Sequence, residues 1–289
     1  MDPMSTDPTD LTMQRLWGRQ PRPRRGPKPA LSAERIVETA FELAEADGLD
    51  AVSMARVAET LGCSPMALYR HVSSKDELLV LLTDRVAALL PDLTPGLGWR
   101  AGLERWTRLQ IELVVAHPWY LDLPLATALP GPHRLRWFDQ ALEALSGVPL
   151  PFDEKLGILG LLAQHVLGEA QVQVDTRRAA VATVRATTGV APDVPDADLD
   201  PDAVDRANLY YDFEKLLTSL ATPEHYPHLF AAAAAWDPQD APPASPTDDI
   251  AFGIGVVLDG IEVYLRRRTG GAVDSPVPAP ADPDRPPTT

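Results

Sequence analysis

Tyr69, Arg70, His71 and Lys75 lie close together and carry a phenol, a guanidinium, an imidazole and an ammonium. These are groups that reach base edges and phosphate oxygens. Just ahead of them, Ser64, Met66 and Ala67 are small or flexible enough to permit close approach to another surface. Further upstream, Gln14–Pro29 holds Arg15, Arg19, Arg22, Arg24, Arg25 and Lys28 and no acid. The chemistry offered is recognition of a polyanion. An Arg-Pro segment of this kind either enters a minor groove and tracks phosphates, or is a solvated leader; both readings fit the composition.

Other chemistries find little support. There is no glycine-rich phosphate loop, nucleophile elbow or HExxH sequence, so catalysis has no residues to stand on. His225 and His228 have a spacing seen in metal sites, but Pro227 interrupts the helix and no third ligand is evident, so neither a metal nor a cofactor is expected. Cys63 is the single cysteine, which excludes an internal disulfide and any Cys-rich zinc module. It reads as a small apolar turn residue; oxidation there is the less favoured alternative.

The elements that must position Ser64–Lys75 are short helices. Ser32 starts a helix with Ile36, Val37, Ala40, Phe41 and Ala44 at helical spacing, stopped by Gly48. A second runs from about Ser53 to Leu61, followed by the tight turn Gly62-Cys63-Ser64. Ser64-Pro65 is an N-cap with proline at the first helical position, opening a short helix to His71. Ser74-Lys75-Asp76-Glu77 has the form of a capping box, beginning a longer helix to about Leu90. Helix, turn with glycine, short helix is helix-turn-helix geometry, whose second helix fits the major groove.

Charge divides the chain. The 289 residues carry a formal net charge of −15, yet residues 15–90 sum to +1 and those from 91 onward to −13. An acidic protein with a near-neutral head and a basic arm does not coat nucleic acid indiscriminately. Apolar runs are far shorter than the roughly 18 residues of a membrane span, and the polar start is no secretory signal. A cytoplasmic protein without membrane contact is expected. Proline clusters within 21–29, 191–202, 237–249 and after 270 separate Ala/Leu-rich stretches of helical periodicity, with no convincing strand. The fold class is all-α: basic disordered arm 1–31, helix-turn-helix DNA-binding domain 32–82, helical body 83–269 and Pro-rich disordered tail 270–289.

Val57-Ala58, Leu61-Gly62-Cys63-Ser64 and Ala67-Leu68-Tyr69-Arg70-His71-Val72, with Lys75 and Leu78-Leu79, resemble the DNA-binding domain of the TetR family of bacterial transcriptional regulators. The likeness runs from about Ser32 to Leu82. It implies that Arg56, Ser64, Pro65, Met66, Ala67, Tyr69, Arg70, His71 and Lys75 face a double-stranded operator, to which the arm residues Arg24 and Arg25 would add. Val57, Leu61 and Leu68 read as core.

His117-Pro118-Trp119, Gly131–Trp137 and Leu258–Glu262 are similar to the family's tetracycline-repressor-like C-terminal class. This more distant likeness implies a homodimer and a small-molecule pocket. Its two C-terminal helices would form a four-helix interface, here through Leu159, Leu162, Val166, Ile254, Val257, Leu258 and Ile261. The drug repressor itself uses histidines at the end of its fourth helix and in its sixth; Ala87–Pro91 and Leu121–Leu129 have none, so tetracycline is not implied. Trp106, Gln110, Trp137, Gln140, Gln164 and His165 are pocket candidates, with ordinary core packing the alternative for each. The leading expectation is a repressor released by a small ligand. Alternatives are a DNA-binding regulator whose body is an interaction module, and, least favoured, an enzyme with a DNA-binding-like head.

Overall fold

The computed structural model describes residues 8–18, 31–125, 129–191, 194–208, 217, 219–235 and 246–270. Regular structure among the described residues is entirely helical, so the chain is all-α. In chain order the helices are α1 Pro8–Leu16, α2 Ala33–Asp47, α3 Met54–Thr60, α4 Pro65–Leu68, α5 Lys75–Ala87, α6 Trp99–Ala116, α7 Pro132–Ala144, α8 Phe152–Thr188, α9 Pro201–Arg206, α10 Pro227–Ala234 and α11 Pro246–Thr269. Among the described residues no helix is long and apolar enough to cross a membrane.

Local chemistry starts and stops the first helices as the sequence predicts. The Ser32 hydroxyl accepts the Arg35 N–H at 3.3 Å and that of Ser53 accepts the Arg56 N–H at 3.2 Å. Gly62, at φ +66°, makes the left-handed turn between α3 and α4. Ser74 caps α5 by accepting the Glu77 N–H at 3.0 Å. Two details differ. The Ser64 hydroxyl makes no capping bond; the Ala67 N–H goes to the Ser64 carbonyl at 2.9 Å instead. Glu77 does not return to Ser74; its carboxylate takes the N–H and hydroxyl of Ser73 instead.

Two compact units divide the chain. The larger comprises Met1–Leu167 with Ile254–Thr289, and the smaller is Gly168–Gly253. In the larger, Ile36, Ala40, Val52, Val57, Ala58, Leu68, Val72, Leu78, Leu82 and Val86 form a fully buried core. Leu16 of α1, and Trp119 and Leu123 beyond α6, belong to the same cluster. Helix α5 runs without a break through residue 82, the expected domain boundary. The sequence reading of residues 1–31 as a disordered arm is corrected over Pro8–Leu16. Those residues are helical because α1 has an apolar face, including Met13 and Leu16, that α5 and its surroundings cover.

The rest of the larger unit is built around an indole pair. Trp106 of α6 is fully buried and stacks on Trp137 of α7, with ring centroids 6.2 Å apart and planes at 14°. Its N–H donates to the Trp137 carbonyl at 2.9 Å. Helices α6 and α7 cross at Gly102, where a Cβ would lie 2.6 Å from that of Ala144. The Lys155 ammonium donates to the Leu145 carbonyl at 2.8 Å, closing the end of α7. Glu154 at the start of α8 accepts from Tyr264 and Arg268 near the end of α11.

In the smaller unit, Ala180, Val181 and Val184 of α8 pack with Leu199 and Val204. Arg185 donates to the carbonyls of Ala191 and Val194 and to Asp196.

Candidate nucleic-acid interface and effector cleft

Helix α4 is a single turn, and one turn of helix is not stable by itself. It is held because Leu68 and, just beyond it, Val72 are fully buried in the head core. That registration turns the intervening residues outward. Met66 is 71% and Tyr69 43% exposed, and Ser64, Pro65, Arg70 and Lys75 are exposed with them. Ala67 and His71 are half-buried at the edge of the same surface. The structure therefore gathers Ser64, Pro65, Met66, Ala67, Tyr69, Arg70, His71 and Lys75 around one short helix and the N-terminus of the next.

Arg56 is exposed on α3 and holds the Asp47 carboxylate at 2.5 Å. A pair so open to solvent is worth at most about 1 kcal/mol, so the guanidinium can exchange it for a phosphate at little cost. Arg24 and Arg25 lie outside the described residues. Arg15, the first residue of the basic stretch, faces inward: its guanidinium sits 2.5 Å from the nearly inaccessible carboxylate of Glu77. Burial alone would raise the Glu77 carboxyl, but Arg15 and the Ser73 hydroxyl and N–H outweigh it and hold the group below the usual range.

The six pocket candidates separate. Trp137 and Gln140 line a cleft of about 300 Å³ together with Ala87, Ala88 and Leu90 at the end of α5, Asp92 beyond it, and His133 and Arg136 on α7. That volume is at the small end of ligand-binding pockets. Across the cleft, Arg136 grips Asp92 through two bonds of 2.8 and 2.6 Å, and the Gln140 amide donates to Asp92 at 2.7 Å. Arg136 first, then Gln140, holds the Asp92 carboxyl below its usual range. A neighbouring hollow over Gly102 and Gln140 has only about 10 Å³, room for roughly one water.

Trp106 lies in the core, and Gln110 spends its amide on the Trp106 carbonyl at 3.2 Å. Gln164 is exposed on α8, and the half-buried His165 has an Nε2 without a hydrogen-bond partner. None of these four lines the cleft. Sequence reasoning missed Asp92, His133 and Arg136; the last two stand beside Trp137 one helical turn apart, the spacing that lines one wall.

Polar contacts tie the head to α7 and to the end of α6. Asp84 of α5 caps α7, accepting the N–H of Arg134 at 3.0 Å and of His133 at 3.5 Å. Glu45 of α2 accepts the Trp119 indole N–H at 2.6 Å and contacts His117 Nδ1 at 2.7 Å. Phe41 meets the rings of Trp119 and His117, and the Arg85 guanidinium lies over Phe41.

The residues expected to meet a second subunit are placed differently. Leu159, Leu162, Val166, Ile254, Leu258 and Ile261 are buried within the chain, and Val257 is half-buried. These helices have two apolar faces, and one of them fills the protomer's own core. Their other faces expose Phe152, Leu156, Leu161 and Leu167 on α8 and Val256 and Val263 on α11. Gly157, Gly160 and Gly260 have open space where a Cβ would stand.

Comparison with known proteins gives a consistent pattern. A family profile described as bacterial regulatory proteins, tetR family, matches residues 36–82, and one described as tetracyclin repressor-like, C-terminal domain, matches residues 90–265. The chain is 33% identical over 262 residues to the HTH-type transcriptional repressor DrrR1 of Streptomyces coeruleorubidus, a match covering 90% of this chain and 87% of that one. Apo ActR from Streptomyces coelicolor superposes with a TM-score of 0.58 at 21% identity, covering 84% of this chain and all of that one (100%). The same protein in complex with actinorhodin gives 0.55 at 22% identity over 81% of this chain and 98% of that one. Likeness at that identity speaks for the fold.

Proposed function

The chain belongs to the TetR family of bacterial regulatory proteins, and from that premise we propose that it is a homodimeric operator-binding repressor released from DNA by a small molecule. The family is one of regulators rather than enzymes. The observation that carries the reading is the surface around α4: a buried Leu68 and Val72 beneath exposed Ser64, Pro65, Met66, Tyr69, Arg70 and Lys75. These residues, with Ala67, His71 and Arg56, contact the operator. Lys75 and the N-terminal amides of α5 take phosphate, and α4 enters the major groove. Arg24 and Arg25 add phosphate or minor-groove contacts. Repression agrees with the similarity to the transcriptional repressor DrrR1, and a small-molecule effector with the actinorhodin complex of ActR.

The effector occupies the α5–α7 cleft. Arg136 and His133 offer donors beside the Asp92 carboxylate and Trp137 an apolar edge, which suits a small molecule bearing an acceptor group. Helix α5 carries Lys75 at one end and Ala87 at the other, about 18 Å apart at 1.5 Å per residue. An effector that separates α7 from α5 moves the reading head. It shifts the population only by binding the DNA-incompetent state more tightly. Two copies associate through the open stripes of α8 and α11, because reading a palindrome needs a two-fold partner.

The test is a gel shift of the purified chain on its own upstream DNA, with a salt series and scrambled competitor. A band at dimer stoichiometry that resists competitor is expected. Binding abolished equally by any DNA and by modest salt would reduce the interaction to phosphate attraction and defeat the reading.

A further inference from the structure

Helix α1 is used neither by the reading surface nor by the cleft, and it precedes the segment matched by the family profile, which begins at residue 36. It nevertheless reaches the segment that joins α4 to α5. Arg15 is 11% and Glu77 2% exposed, and Arg15 Nη1 lies 2.5 and 2.6 Å from the two Glu77 oxygens. The same carboxylate accepts the Ser73 N–H at 2.5 Å and the Ser73 hydroxyl at 2.6 Å. Ser73 sits between two reading-surface residues, His71 just beyond α4 and Lys75, which begins α5.

We propose that Arg15 is a positioning residue for operator recognition: acting through Glu77, it fixes the Ser73–Lys75 turn and makes α1 a working part of the reading head. This rests on the DNA-binding reading given above. A carboxylate held by one cation and two Ser73 donors has one orientation, and that orientation sets the path of the chain from α4 into α5. Phosphate contacts define register only if the groups that make them are fixed. Arg15 also neutralises a buried negative charge two residues from Lys75, on a face that must meet a polyanion. Without the guanidinium, Glu77 would be an uncompensated buried charge, driven to take a proton or to turn toward water. Either response releases Ser73.

The experiment measures the affinity of the full-length chain for its operator by fluorescence anisotropy over a salt series. Wild type is compared with Arg15→Gln, Lys75→Ala and the double variant. Arg15→Gln should bind at least about tenfold more weakly and lower the slope of log affinity against log salt by about 0.9, the share of one phosphate contact. In the Lys75→Ala background the same change should cost less than about threefold, because the contact it positions is gone. Binding within about twofold of wild type, or a loss undiminished by Lys75→Ala, overturns the proposal.

Should Arg15→Gln unfold the head, the pair Arg15→Met with Glu77→Leu replaces the buried charges by packed apolar groups. It also deletes the acceptor for Ser73. That variant should melt no lower than wild type yet bind the operator at least about tenfold more weakly; wild-type binding overturns the proposal. Failure of the wild-type chain to bind its operator specifically would refute the DNA reading itself, a separate result that takes this inference with it.

Discussion

Gly131 lies so close to Asp84 that a Cβ at residue 131 would fall 2.2 Å from the Asp84 carboxyl carbon. The contact is where α5 meets α7. A buried carboxylate from one helix satisfies the first N–H groups of another, and only a residue without a side chain lets it approach. Gly131→Ala should push Asp84 away and forfeit that cap, costing about 1–2 kcal/mol of stability. Thermal melting checks this. Asp84→Ala should lose a similar amount and leave Gly131→Ala with little further effect when the two are combined.

The indole pair and the cleft separate in mutants. Trp106→Ala removes a fully buried side chain and should destabilise by about 3–5 kcal/mol. Arg136→Ala and Gln140→Ala, at the cleft wall, should leave the melting temperature close to that of wild type. A compound that raises the melting temperature of wild type through this cleft should lose that effect in Arg136→Ala and keep it in Trp106→Phe. Loss in Trp106→Phe alone would move the effector into the core.

The faces of α8 and α11 give opposite outcomes. Leu156→Glu or Val256→Glu changes an exposed position and should yield a folded monomer by sedimentation, without operator binding. Leu162→Glu or Ile254→Glu buries an unpaired charge and should unfold the chain at any concentration. Dissociation by the second pair without unfolding would restore the face first expected from sequence.

Acid should loosen the head through Glu77 and Glu38, both held below the usual carboxylate range. For Glu77, burial opposes the shift, and Arg15 and Ser73 overcome it; for Glu38 the Arg85 bond dominates. A depressed folded-state pKa contributes stability that is complete above the unfolded value of about 4.3 and is lost as pH falls through the lower folded value. Urea midpoints measured from about pH 7 down to about pH 3 should fall steeply at the acid end. Arg15→Met with Glu77→Leu should flatten that limb.

The head was legible because its signals are local. Ser32, Ser53, Gly62, Pro65 and Ser74 mark helix ends by chemistry that acts within four residues, and the structure places boundaries within a residue or two of them. What the sequence could not show is long-range. Arg15 and Glu77 are 62 positions apart, and nothing in the basic run distinguishes the arginine that turns inward. Leu159 and Leu161 are equally apolar, yet Leu159 is buried and Leu161 is 49% exposed, a choice of face that depends on packing partners distant in sequence. Trp106 and Trp137 looked alike as pocket linings. Their stacking puts Trp106 in the core and leaves an edge of Trp137 at the cleft.

The single turn of α4 separates two duties within a few residues. Leu68 and Val72 hold the fold, whereas Met66, Tyr69 and Arg70 face outward and contribute little to it. On the operator-binding reading proposed above, these outward residues can be exchanged for others without eroding the scaffold, so a change of DNA address costs almost no foldability.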